Sequence, residues 1–225
     1  MRVKRDLWLV GDEYRLSAVG ERFRVEAGDL SVEVAARRVS SIVLDGFGSV
    51  TSASLFLASR WRIPVIVLDD ELSAVLWTKP FHYVEVVLSQ VEALNSPLKN
   101  VLARDVLEAY RVNVEEAIRY WLRERFEELK GLSQPEKLLE NVYPRFLPSY
   151  LYLRKLLVAK VLAEVVKAGL CPSISFLSSG HDSLARDLAL EFDGVVPLYV
   201  ALKLAHEDAS LSVSEGEGRR FLAKM

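Results

Sequence analysis

Between Val165 and Phe192 the chain reads V-V-K-A-G-L-C-P-S-I-S-F-L-S-S-G-H-D-S-L-A-R-D-L-A-L-E-F. Ser178, Ser179, His181 and Asp182 crowd into one small polar loop, and no other stretch brings serine, histidine and aspartate together between two helical segments. Hydroxyl, imidazole and carboxylate are the groups that hold a metal or move a proton at a phosphate ester, so chemistry on a phosphate belongs here if it occurs at all. A serine hydrolase built from Ser178 or Ser179, His181 and Asp182 is disfavoured. Nucleophile, base and orienter come as a rule from separate elements, and neighbours on one short loop do not reach that geometry. Asp187 and Glu191, four residues apart, fall on one face of the helix that follows.

Several elements must position that loop. A helix from Leu147 to Lys167 ends at Gly169, and an apolar turn (Leu170, Pro172, Ile174, Phe176, Leu177) leads to the polar residues. Ser183 reads as the cap of a helix Leu184–Phe192, and another helix runs from about Val196 to His206. Upstream, Tyr83–Leu94 is helical up to Asn95-Ser96-Pro97. One long helix is expected from Pro97 to about Lys130, with Val101, Val106, Leu107, Tyr110, Val114, Ile118 and Trp121 on its apolar stripe and Gly131 as its stop. Ser133-x-x-Glu136 with Pro135 reads as a capping box. Before Trp77 the pattern is that of strands. Glu21–Glu26 and Leu30–Val34 alternate with period two, while Ser40–Leu44 and Ile63–Leu68 are continuous apolar runs. One helix, Val50–Trp61, is set among them with Ser49 or Thr51 as cap. Thr78-Lys79-Pro80 reads as a linker. The expected fold is α+β: a small β-sandwich-like domain with one helix (1–79), then a larger all-helical domain (80–225). The tail 210–225 is polar and glycine-containing and reads as a mobile end.

Composition narrows the function classes. The 225 residues are 51% apolar, enough for a substantial core. The net charge is −2, with 11 basic and 11 acidic residues up to Lys79 and 18 and 20 after it, so no general pull toward nucleic acid exists. The one cysteine, Cys171, has no internal disulfide partner, the N-terminal apolar run is too short for a signal peptide, and no stretch nears a membrane span. The expectation is a soluble, cytoplasmic protein.

Three segments carry a resemblance. R-V-S-S-I-V-L-D-G-F-G-S-V-T-S-A-S-L-F-L-A-S-R-W-R-I-P-V-I-V-L-D is similar to the strand–Gly–Ser-x-Thr–helix–Ile-Pro-Val–strand segment of the CRISPR adaptation integrases, the "Cas-one" family of CRISPR-associated proteins. A-G-L-C-P-S-I-S-F-L-S resembles that family's A-G-L-D-P-x-x-G-F-L-H turn, and S-L-A-R-D-L-A-L-E-F its S-L-x-x-D-L-x-E-E-F helix. The pieces fall in the family's order over nearly the whole chain. The resemblance implies a protein of antiviral defence. It would dimerise through the β domains, assemble with the small "Cas-two" dimer, and insert DNA pieces into a repeat array by attack of a 3′-hydroxyl on a phosphodiester. That endonuclease-like chemistry uses Mg²⁺ or Mn²⁺ held by carboxylates and a histidine.

The same comparison marks departures. Ser178 stands where the family has its metal histidine, and His181 lies three residues on. Asp187 keeps the first acidic position of the helix, but the second, three residues later, is Leu190, with Glu191 one further. The family's remaining ligand is a glutamate in E-G-x-A-A-x-x-Y-W. The match here is V-E-E-A-I-R-Y-W, which offers Glu115 or Glu116, with Glu136 and Glu140 as competitors. Family members also carry a longer helical segment between Asn113 and Val114. Less phosphate-binding surface, with no basic excess, implies weaker DNA affinity. Two functions follow. One is a metal-dependent DNA integrase or endonuclease using Glu116 or Glu115, Asp187 or Glu191, and His181, around a degenerate site. The other is a catalytically inactive scaffold of an adaptation complex. A homodimer is expected in either case, because the apolar strand face Ile42, Leu44, Val65, Val67 needs cover.

Overall fold

The computed structural model describes residues 4–68, 73–76, 84–132 and 134–207. They divide into two compact units. The first holds 4–76 with 166–169, the second 84–165 with 170–207.

The first unit begins with β1 (Arg5–Val10), β2 (Tyr14–Val19), β3 (Arg22–Ala27), β4 (Leu30–Ala35), β5 (Val39–Asp45) and β6 (Gly48–Val50). Helix α1 (Ser52–Arg60), β7 (Val65–Leu68) and β8 (Ser73–Leu76) complete it. Two four-stranded sheets result. One runs β1-β5-β7-β8, with the first three strands parallel and β8 antiparallel; the other runs β4-β3-β2-β6, an antiparallel meander with β6 parallel to β2. Period-two alternation turns Tyr14, Leu16, Phe23 and Val25 inward, where they pack with Leu9, Ile42, Leu44, Leu57 and Val65 in one core. Thr51 caps α1, its Oγ1 accepting from Ser54 N at 3.3 Å. The strand face expected to need a partner is covered from within: Ile42, Leu44 and Val65 are buried in this core and Val67 packs against it.

The second unit is helical: α2 (Val84–Leu94), α3 (Leu98–Trp121), α4 (Phe126–Leu129), α5 (Pro135–Val142), α6 (Leu147–Lys167), α7 (Ser183–Leu190) and α8 (Tyr199–His206). A π-helical turn, Gly194–Leu198, leads into α8. The long helix expected from Pro97 stops earlier, at Trp121. Leu122 leaves helical geometry (φ −123°, ψ 39°), and the chain bends so that Phe126 and Leu129 join Val114, Ile118, Leu138 and Leu139 in one cluster. Burying those side chains outweighs continuing an exposed helix. Ser183 is the first residue of α7 rather than its cap, which is Asp182. Pro135 opens α5 as expected, while the carboxylate of Glu136 goes to Arg154 instead of back to the helix start. Ser133, the 78–80 linker with the 79/80 boundary, and the 210–225 tail lie outside the described residues. No helix among the described residues is long and apolar enough to cross a membrane.

Candidate functional site

The polar loop is organised by Asp187. This carboxylate sits on α7, is 3% exposed, and faces back to the turn that precedes the helix. Oδ2 accepts from the backbone N–H groups of Phe176 (3.0 Å) and Leu177 (2.7 Å), and Oδ1 from that of Ser178 (3.1 Å). The hydroxyls of Ser175 and Ser178 each lie 2.6 Å from it, on Oδ2 and Oδ1. Each hydroxyl also has a carbonyl in reach, Ser175 that of Ser178 (2.9 Å) and Ser178 that of Ser183 (3.2 Å), and its single proton goes to one acceptor at a time. Consecutive N–H groups converging on one anion form a nest, here closed by a side chain of the same chain. Phe176 anchors the turn from the other side, buried with Val106, Val165 and Leu184. Gln90 on α2 holds the start of the turn, accepting from Cys171 N at 2.8 Å and donating to its carbonyl at 3.3 Å.

The remaining loop residues go separate ways. Asp182 is buried and ion-paired with Arg186 (2.8 Å). His181 is exposed, and its backbone carbonyl accepts from Ser173 Oγ at 3.1 Å. Ser178 therefore faces Asp187, while Asp182 faces Arg186, and no nucleophile–imidazole–carboxylate relay forms. Glu191 follows α7 and is half-buried.

On α3, Glu115 pairs with Arg111 (2.8 Å) and Glu116 with Arg119 (2.7 Å), both along the outer side of the helix. Elsewhere on α3, Asn113 reaches the chain just after α7, its Nδ2 donating to the Glu191 carbonyl at 2.6 Å. The sequence carries a signal for it. In the E-G-x-A-A-x-x-Y-W pattern the glutamate stands seven residues before the tyrosine, and seven residues before Tyr120 is Asn113. Counted the same way, Glu115 and Glu116 fall two and three residues later. Leu190 packs in the apolar cluster of Val106, Val165, Phe176 and Leu184. Among the described residues no group of three or more His, Cys, Asp or Glu side chains is placed to hold a metal ion.

The family model for CRISPR associated protein Cas1 matches residues 7–145, more than half of the chain. The chain belongs to the Cas1 family. No curated protein matches it in sequence. Its fold is that of a Cas1 protein from Thermotoga maritima, with a TM-score of 0.72 at 16% identity over 91% of this chain and 79% of that one. A casposase bound to an integration product has a TM-score of 0.71 at 15% identity, over 92% of this chain and 74% of that one. The Cas1 of a TtCas1–DNA complex has a TM-score of 0.66 at 15% identity, over 96% and 84%. The Cas1 architecture, a strand-rich first part with two sheets and a helical second part, is thus the fold described above.

Proposed function

We propose that this chain serves CRISPR adaptation as a DNA-handling assembly subunit whose Cas1-type site is kept for architecture rather than metal chemistry. What supports the reading is the register of the family motifs that this chain resembles, which sets Asn113 at the glutamate's position, Ser178 at the histidine's and Leu190 at the second acid's. Mg²⁺ and Mn²⁺ are hard cations that bind through carboxylate oxygens. An amide already donating to a carbonyl, a hydroxyl turned to Asp187 and a packed hydrocarbon do not fit such an ion. Asp187 is the one acid at a family position, and its roughly four lone-pair sites face five donors of the loop. DNA, a second copy of the chain and the small Cas2-type dimer are the partners of this reading, supported by Cas1 membership and by the fold shared with a DNA-bound Cas1 and an integration-product-bound casposase.

The test is turnover of fluorescent branched DNA with Mg²⁺ or Mn²⁺, wild type beside Asp187→Ala and the Glu115→Ala/Glu116→Ala pair. No turnover is expected from wild type that is folded and binds DNA. Metal-dependent turnover abolished by either variant would sink the proposal. The triple variant Asn113→Glu, Ser178→His, Leu190→Asp is expected to bind Mn²⁺ in calorimetry where wild type does not.

A further inference from the structure

The most deeply buried carboxyl group among the described residues of the helical unit lies outside that site. Asp193, 1% exposed, is the last residue before the π-helical turn, and four side chains from three helices surround it. From α6, Tyr150 donates its hydroxyl to Oδ2 at 2.8 Å and Arg154 brings Nε within 3.6 Å of the same oxygen. From α5, Glu136 takes the closer, hydrogen-bonded end of Arg154 through Nη1. From α3, Tyr110 lies close enough to feel both carboxylates. Asp193 Oδ1 is buried and has no hydrogen-bond partner among the described residues.

Three features of this geometry point the same way. Two carboxylates share one guanidinium, which leaves the cluster one positive charge short. The guanidinium is committed mainly to Glu136, the more exposed of the two acids. Among the described residues every hydrogen bond and ion pair to the Asp193 carboxylate falls on Oδ2, so an ionised Asp193 would hold an uncompensated anionic oxygen away from water. That costs far more than burying a neutral hydroxyl without a partner. Burial lifts the Asp193 carboxyl above the ordinary aspartate range and the Glu136 charge adds to this, against the pull of Arg154 and the Tyr150 hydrogen bond. Both phenols are pushed up, by burial first, and remain neutral donors. The surrounding backbone has little room to relax. A Cβ at Gly194 would collide with the backbone of Asn113 and Val114 on α3, so the residue after Asp193 is pressed directly against that helix.

We propose that Asp193 is a proton-binding site of the helical unit: Oδ1 carries a proton in the folded protein over a pH range in which a solvated aspartate is ionised, and its ionisation loosens the π-helical turn and α8 from α3 and α6. In that range the folded state binds one proton more than the unfolded state. Stability therefore falls as pH rises from the ordinary aspartate value to the raised one, and levels off above it. The inference is independent of what the Cas1-type site does.

The experiment compares urea unfolding of wild type and Asp193→Asn from the ordinary aspartate range upward through neutral pH. Asparagine keeps the shape and an acceptor for Tyr150 without a titrating proton. The expected result is an unfolding constant of wild type that rises relative to the variant by up to about tenfold per pH unit within the window. Parallel profiles throughout overturn the proposal. Should Asp193→Asn not fold, infrared spectra of wild type carrying ¹³C-labelled aspartate decide: a protonated-carboxyl band persisting above the ordinary aspartate range supports it, and its absence overturns it. A third arm replaces tetramethylammonium by K⁺ at fixed pH and ionic strength. Stabilisation by K⁺ that Asp193→Asn lacks assigns the missing charge to a metal cation and overturns the proton assignment.

Discussion

Asp187 and Ser178 exchange roles that a metal site would give them. A carboxylate that ligates an ion must leave lone pairs free, whereas Asp187 accepts three backbone N–H groups and faces two hydroxyls. Its loss leaves three neighbouring donors without an acceptor, one of them the buried N–H of Phe176, and hydrogen bonds to a charged group contribute about 1.5–3 kcal/mol each before the loop relaxes. Asp187→Ala is thus expected to destabilise the helical unit by roughly 3 kcal/mol. Asp187→Asn should recover little, because its amide NH₂ would point at N–H groups in place of an acceptor. Thermal melting and protease nicking within 175–182 check both. An Asp187→Asn protein as stable as wild type would show the carboxylate to be spare, and so open to a ligand. Read from sequence, Asp187 is one acid on a helix. The donors that define it lie 9–12 residues upstream and converge only because the turn folds back onto α7.

At the scale of elements, α7 and the π-helical turn connect the loop to α8, and glycine sets how closely the turn approaches α3. Gly194 abuts the backbone of Asn113 and Val114, so no side chain can yield to make room. Helix propensity alone would make Gly194→Ala favourable by up to about 1 kcal/mol. Overpacking against backbone reverses the sign, with an expected cost of about 1–3 kcal/mol. Gly131, with open space around its Cβ position and no left-handed backbone, is the control: Gly131→Ala should be neutral or stabilising by less than about 1 kcal/mol. Denaturant melts of the two variants separate close approach from propensity. Most elements here were legible as pattern. The period-two runs gave β3 and β4, Thr51 (one of two caps read from the sequence) marked the start of α1, and the apolar stripe with Pro97 gave α3. The end of α3 was not, because Leu122 carries no breaker; the helix stops so that Phe126 and Leu129 can reach a cluster contributed by α5. The Asp193 cluster was illegible for a related reason. Its members come from positions 110, 136, 150, 154 and 193, and only the packing of four elements makes them one group.

For the whole molecule, an apolar face that reads from sequence as exposed became an interior. Ile42, Leu44 and Val65 are half of a sandwich core, and the second sheet supplies the other half within the same chain. The proposed dimer therefore needs a different surface. The first unit offers one in Phe47, 84% exposed on the β5–β6 turn, and Phe56, 71% exposed on α1. The Phe47 turn is built to hold that ring out: Gly46 lies against Gly11 so tightly that a Cβ would strike its carbonyl, and Glu13 N donates to the Phe47 carbonyl at 2.6 Å. An exposed aromatic on a preorganised turn is the kind of residue that dominates binding energy in an interface. It contributes little to the fold itself, where surface substitutions stay within about 0.5 kcal/mol. Phe47→Ser with Phe56→Ser should accordingly leave the melting temperature nearly unchanged while weakening self-association by about tenfold or more, as loss of a contact worth 1.4 kcal/mol or above requires. Sedimentation across a micromolar concentration series reads both. A wild type that stays monomeric throughout removes the homodimer from the proposed assembly, and a dimer indifferent to both substitutions moves its interface to another face.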